Sequence, residues 1–163
     1  MPEELWKLLA SIALCNLAGG LGALVTMPRI PGWYRALRKP SFNPPSWVFG
    51  PVWTTLYTLM GVSFYLVWKG HSLAEIPAPA AAFAFQLVVN VAWSGVFFGL
   101  RSPLGGLVVI GVLLGAILWM LSEFHACSPT AALLQAPYLL WCSFAAVLNF
   151  RIWQLNPEDQ EPV

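Results

Sequence analysis

Residues 103–123 read PLGGLVVIGVLLGAILWMLSE, a run whose single charge is the closing Glu123. At 1.5 Å per residue a helix of this length covers about 30 Å, the thickness of a bilayer's hydrocarbon core. Such a helix bonds its own backbone polar groups, as a lipid solvent demands. Four further apolar stretches of similar length lie at 5–26, 46–68, 79–100 and 130–153. None of them alternates apolar with polar residues, the pattern a membrane β-barrel requires. With 58% hydrophobic and 9% charged residues, the 163-residue chain cannot clothe a soluble globule. The expected fold is an all-α integral membrane protein, one domain over 1–163 built as a bundle of five transmembrane helices.

The segments between the stretches carry the charge. Successive helices reverse direction, so the long loop at 27–45, the turn at 101–102 and the C-terminus share one side, with Arg29, Arg35, Arg38, Lys39, Arg101 and Arg151. The opposite side has only Lys7 and Lys69 among its Lys and Arg. An excess of Lys and Arg marks the cytoplasmic face, which places the C-terminus inside. The first stretch is full length, is preceded by acids and lacks a small-residue cleavage site, so it is expected to remain as a permanent helix. The tail NPEDQEPV (156–163) is polar and expected to fray. Cys15, Cys127 and Cys142 form no CxxC pair and are expected to be free thiols.

Several chemistries lack the residues to run on. No Asp, Glu, Lys, Arg or His sits near the middle of a stretch, whereas ion pumps, proton-coupled transporters and voltage sensors need such a group at depth. His71 and His125 belong to loops on the external side, which leaves no axial histidine for a buried haem. There is no Ser-His-Asp set, HExxH or phosphate-cradling glycine loop, and no metal site or required cofactor is expected. The net charge of +1 gives no reason to expect a nucleic-acid partner.

The nine tryptophans divide by depth. Trp6, Trp33, Trp47, Trp68, Trp119 and Trp153 fall near helix ends, where indoles anchor at the headgroup level. Trp53 and Trp93 lie about 10 Å inside helices 2 and 3 from the basic side, and Trp141 is near the middle of helix 5. At the same level helix 1 reads AGGLGA (18–23). Two readings of those small residues stand side by side. They let backbones approach, or they leave one smooth wall of a flat slot faced by three indoles. Asn90, one turn from Trp93, either orients a polar edge of a guest or bonds helix to helix.

On the basic side of helix 2 the chain reads KPSFNPPSWVFGPVW (39–53). Pro40, Pro44 and Pro45 bar helix formation and bias the preceding residues toward extended geometry. With Trp33, Tyr34, Phe42 and Trp47 around them, 27–45 is expected to form a stiff lid over the slot, while Pro51, within the first turns of helix 2, either loses little by lacking an N–H or introduces a bend that aims Trp53 inward.

The runs GWYRALRKPSFNPPSWVFGPVW (32–53), NVAWSGVFFGLR (90–101) and PYLLWCSFAAVLNFRIW (137–153) resemble, in order and spacing, the translocator protein family. Its members are also called tryptophan-rich sensory proteins or peripheral-type benzodiazepine receptors. The resemblance implies a five-helix bundle, often a homodimer through helix 3, that binds porphyrins and sterol-like lipids. It also implies binding of isoquinoline carboxamide and benzodiazepine drugs. Matching motif to motif, it carries over Trp53, Asn90, Trp93 and Trp141 as pocket residues, with Ala23, Tyr34, Pro44, Ala145 and Leu148 as contributors. In some bacterial members two tryptophans, matching Trp53 and Trp141, are implicated in breaking down protoporphyrin with light and oxygen. The chain departs from the pattern at Phe42, where many relatives have Trp. It departs again at VLNFRIW (147–153), where Phe150 and the adjacent Arg151 break the cholesterol-recognition pattern.

Three functions follow as expectations. The first is a membrane receptor or translocator that binds protoporphyrin IX and other hydrophobic ligands, in tetrapyrrole regulation or stress response. The second is a light- and oxygen-dependent porphyrin-degrading enzyme with Trp53 and Trp141 as its reactive groups. The third is a stress-sensing scaffold that works through protein partners. The short polar ends favour a bacterial cell membrane, although mitochondrial relatives also lack cleaved signals.

Overall fold

The computed structural model describes residues 2–157, and these are helical with no strand among them. Helix α1 spans Pro2–Thr26, α2 Ser46–Trp68, α3 Pro77–Ser94 and α4 Pro103–Cys127, followed by α5 Pro129–Leu134 and α6 Ala136–Leu155. The expected stretches match these elements to within a few residues, because lipid length and helix rise fix both. The fifth is divided, however. Pro137 has no N–H to bond the carbonyl one turn back, so the helix is interrupted at Gln135 before it resumes as α6.

Four helical segments are long and apolar enough to cross a membrane: Glu3–Tyr34, Pro77–Gly99, Pro103–Cys127 and Pro129–Leu155. Helix α2 has the length, with 23 residues, but Trp, Tyr, Thr and Ser side chains dilute its apolarity. The helices close into a ring in which α1 packs on α2 and α3, α3 on α4, α4 on α5 and α6, and α5 on α2. The tightest crossing is α1 on α2. A Cβ added at Gly61 would stand 2.5 Å from the Ile12 Cα, so only glycine permits that approach.

The ends pair as the alternating direction requires. At one end Lys7, almost fully buried, donates to the His71 carbonyl at 3.0 Å and pairs with Glu3 and Glu4 at 3.4 and 3.8 Å. At the other, Asn156 grips the backbone of Arg38: its Oδ1 accepts from the Arg38 N–H and its Nδ2 donates to the Arg38 carbonyl, both at 2.9 Å. The first residue of the tail is thus pinned rather than frayed, and the expectation of fraying otherwise concerns 158–163, which lie outside the described residues.

The lid differs from the expected loop. Its first part continues the helix, as a 3₁₀ turn over Met27–Arg29 and a π-helix over Ile30–Tyr34, with helical residues to 36. Pro28 and Pro31 fall where a fresh turn begins, so they lose little by lacking an N–H. Only 37–45, with Pro40, Pro44 and Pro45, leaves the helical region. A second π-helix, Gly95–Gly99, ends α3 beneath the lid. Trp33 and Tyr34 pack edge-on or tilted against its Phe97 and Phe98, with centroids 5.5–6.4 Å apart. Trp33, expected as a headgroup anchor, therefore helps fasten the lid to the bundle.

Candidate functional site

Beneath the lid lies a cavity of about 560 Å³. Its walls come from the C-terminal half of α1, the N-terminal half of α2, the end of α3 and the middle of α6. Gly19, Gly20, Gly22 and Ala23 form the α1 wall. Both readings of those small residues hold, at different positions. A side chain at Gly19 would overlap the Tyr57 ring, so this glycine serves close packing, whereas a Cβ at Gly20 would meet nothing within 4 Å. Helix α1 is smooth here because one glycine seats an aromatic ring and the next faces open space.

The indoles face this wall from three helices. Trp53 stacks on Tyr57, one turn along α2, with centroids 5.4 Å apart. Trp93 stacks on Phe97 at 5.1 Å, and its Nε1 donates to Asn149 Oδ1 at 3.2 Å. Asn149 in turn donates to the Pro103 carbonyl at 2.7 Å, so the indole is held by a side chain itself fixed to the start of α4. Trp141 packs between Phe49 and Phe144, at 5.9 and 5.6 Å. Its buried Nε1 makes no hydrogen bond among the described residues.

The cavity floor is polar and internally satisfied. The Tyr57 hydroxyl donates to Asn90 Oδ1 at 2.5 Å, Asn90 Nδ2 donates to the Tyr138 hydroxyl at 2.8 Å, and that hydroxyl donates to Gln86 Oε1 at 2.9 Å. Gln86 Nε2 ends the chain on the Met60 sulfur at 3.3 Å. Burying these groups in an apolar bundle is costly unless they bond one another, and joining α2, α3 and α6 satisfies them. Asn90 is therefore interhelical glue. What remains for a guest is its second amide hydrogen and second lone pair.

Of the residues expected at the site, Ala23, Tyr34, Trp53, Asn90, Trp93, Trp141, Ala145 and Leu148 border the cavity. Pro44 does not: its carbonyl accepts from Asn43 Nδ2 at 3.0 Å, and Asn43 Oδ1 accepts from the Tyr34 hydroxyl at 3.0 Å, so Pro44 belongs to the lid segment that Tyr34 holds through Asn43. The sequence reading missed Tyr57, Phe49 and Asn149, which also line the space. Tyr57 was within reach, because it follows Trp53 by four residues on one helical face. Trp47, read as an anchor, is both 75% exposed and part of the lining. With the exposed Gly20, Met27 and Gly50 it marks the open side of the cavity, between α1 and α2.

A helical bundle of bilayer-crossing length with an aromatic, glycine-walled cavity under a fastened lid defines a class: integral membrane proteins of the helical-bundle type with an internal cavity. Comparison with known proteins names the family. Residues 11–154 match the model of the TspO/MBR family, and the chain belongs to it. It is 42% identical to the tryptophan-rich protein TspO of Chlorobaculum tepidum over 161 residues, covering 96% of this chain and 100% of that protein. It is 41% identical to the translocator protein of Bos taurus over 145 residues, covering 88% and 86% respectively. Protein CrtK of Rhodobacter capsulatus is 36% identical over 148 residues, 90% of each chain.

Proposed function

We propose that this protein is a membrane receptor or translocator-like protein that binds porphyrins, protoporphyrin IX foremost, and other flat hydrophobic ligands in the cavity under the lid. One observation carries the reading: four indoles from three helices, those of Trp47, Trp53, Trp93 and Trp141, and a glycine wall border a single space of about 560 Å³. That volume falls within the ~300–1,000 Å³ typical of small-molecule sites. Trp53, Trp93 and Trp141 supply stacking area for a flat guest. Ala23, Tyr34, Ala145 and Leu148 complete the contact surface, with Asn90 as part of the floor. The proposed ligand range extends to isoquinoline carboxamide and benzodiazepine drugs, and only weakly to sterol-like lipids, because Phe150 and Arg151 break the cholesterol-recognition pattern. All five rods would cross the membrane with the C-terminus on the cytoplasmic side, and the exposed face of α3, with Val88 and Phe85, would serve a homodimer.

A second reading has its own support: the two tryptophans tied to photo-oxidative porphyrin breakdown, Trp53 and Trp141, both border the cavity. A bound porphyrin absorbs the light and sensitises oxygen, so the protein would hold an oxidisable indole against the macrocycle and exclude water.

One titration tests both. Purified protein is titrated with protoporphyrin IX by tryptophan quenching, first in the dark and then under light with oxygen, beside Trp53→Phe and Trp141→Phe. Saturable dark binding that weakens in the variants is the expected result. Light-dependent loss of porphyrin in the wild type alone would add the enzymatic reading. Absence of saturable binding would reject the porphyrin site and leave a scaffold that acts through protein partners.

A further inference from the structure

A second recess, of about 400 Å³, opens in the lid beside the main cavity. The two share Ile30, Tyr34 and Ser46 as walls, and the recess adds Pro31, Arg35 and Lys39. We infer that this recess is a carboxylate subsite, in which Arg35 and Lys39 hold the acidic arm of a guest whose apolar body occupies the indole-walled cavity. The inference rests on the porphyrin-type reading of that cavity and specifies which guests it prefers.

Lys39 is held in place before any anion arrives. Its ammonium donates to the Leu37 carbonyl at 2.8 Å and the Arg35 carbonyl at 3.2 Å, and lies 4.8 Å above the Tyr34 ring. Two of its three protons are thereby committed and one is left. Tyr34 also borders the main cavity, so a single side chain separates the ammonium from the apolar space. Arg35 brings a fork of N–H donors suited to a carboxylate. Among the described residues the ion pairs are those of Lys7, so neither Arg35 nor Lys39 has a carboxylate partner there.

An independent feature points to the same charge. Helix α2 begins at Ser46, on the shared wall, and its N-cap is Pro45, which supplies no side-chain acceptor to the first N–H groups. An uncapped N-terminus of a 23-residue helix favours an anion through its free donors and its dipole. Partial burial also draws the Lys39 pKa below its ordinary value, a shift that a neighbouring anion would reverse.

Topology offers a competing account, since segment 27–45 carries Arg29, Arg35, Arg38 and Lys39 without one acid, as a cytoplasmic loop should. That account treats the four cations alike. The structure does not: Arg35 and Lys39 line the recess, and Arg29 and Arg38 line neither space.

The test compares protoporphyrin IX with its dimethyl ester, which keeps the macrocycle and lacks the charges. Both are titrated in the dark in neutral detergent against the wild type, Arg35→Gln/Lys39→Met and Arg29→Gln/Arg38→Gln. The wild type should bind the diacid about tenfold more tightly than the ester, the effect of a charge-assisted hydrogen bond or two. In Arg35→Gln/Lys39→Met the ratio should fall to about one with ester affinity unchanged, which also shows that the cavity is intact. The control pair should keep the wild-type ratio. No preference in the wild type, or equal loss in both double variants, overturns the subsite while saturable ester binding leaves the cavity reading standing. Failure of both ligands to saturate the wild type overturns both. The titration is repeated in phosphatidylcholine nanodiscs with and without phosphatidylglycerol. Loss of the diacid preference only with the anionic lipid would assign the recess to a lipid headgroup and overturn the proposal.

Discussion

The two ends of the bundle use the same helices and are built in opposite ways. Away from the lid the interior is solid. Phe64 and Phe83 stack with ring centroids 4.0 Å apart and nearly parallel, Phe124 packs beside both, and Met60, Ile117 and Met120 are fully buried around them. Toward the lid the interior is hollow, although the aromatic side chains there are larger. The difference lies in what faces them. Phe64 meets another ring, whereas the lid-side indoles border a cavity whose α1 wall includes Gly20, where an added Cβ would meet nothing within 4 Å. Between the halves runs the polar chain from Tyr57 through Asn90 and Tyr138 to Gln86, the floor of one half and the ceiling of the other. A bundle in lipid gains little from hiding apolar surface, because the lipid is equally apolar, so packing decides stability. The solid half can thus carry the fold while the hollow half is left free for a guest.

That division is open to attack by mutation. Phe83→Ala, in the solid half, should have the largest effect, since Phe-to-Ala changes in packed cores cost about 3–5 kcal/mol. Thermal unfolding in detergent should show a clear loss. A variant as stable as the wild type would mean that this half is not the mechanical core.

The next prediction sets two glycines against each other. Gly61→Ala drives a methyl into the Ile12 backbone, an obstacle that cannot rotate away, and overpacking of this kind costs about 1–3 kcal/mol. Gly20→Ala enters open space and gains up to ~1 kcal/mol of helix propensity. The melting temperature should fall in the first and hold or rise in the second, while protoporphyrin affinity weakens in the second. Equal destabilisation would erase the distinction between the halves.

Tyr57→Phe probes the boundary. It removes the donor to Asn90 Oδ1, and interhelical hydrogen bonds in membranes contribute about 0.6–1.7 kcal/mol. A modest loss of stability is expected, together with weaker guest binding as Asn90 gains freedom. Unchanged stability and affinity together would show that the floor is dispensable.

The smallest effect lies outside the bundle, in the capping box where Ser72 N–H and Oγ both donate to Glu75 Oε2, at 2.7 and 2.9 Å. Those bonds hold the Glu75 carboxyl below its ordinary pKa. A depressed acid stabilises the fold fully above the ordinary carboxylate range and loses that contribution as pH falls through the depressed value. Amide-exchange protection factors around 72–76 should fall in acid, with no matching change under the lid. Ser72→Ala should bring the fall to neutral pH.

These predictions also separate what was legible in the chain from what was not. The helices could be read almost to the residue, and so could Trp53, Trp93 and Trp141, because depth along a helix follows from residue count. Asn90 could be placed at the site but not given its role, since one sequence cannot say which partner a buried amide finds. Its partners Tyr57 and Tyr138 are 33 and 48 residues away. Pro44 is carried into the pocket by resemblance, whereas it lies in the lid segment, outside the cavity lining.

By itself, the sequence determined that this is a bundle of bilayer-length helices with its tryptophans in two populations and its basic residues at one end. Apolar length, helix rise and charge are properties of segments, and a segment carries them wherever it packs. Only the tertiary structure decided that Gly19 seats a ring while Gly20 opens a space, that Asn90 is bonded on both sides, and that two of four lid cations border a recess. Each of those facts depends on which residues meet across helices. Chains with the same hydropathy can differ in that respect, because lipid selects for apolarity and packing alone selects for fit.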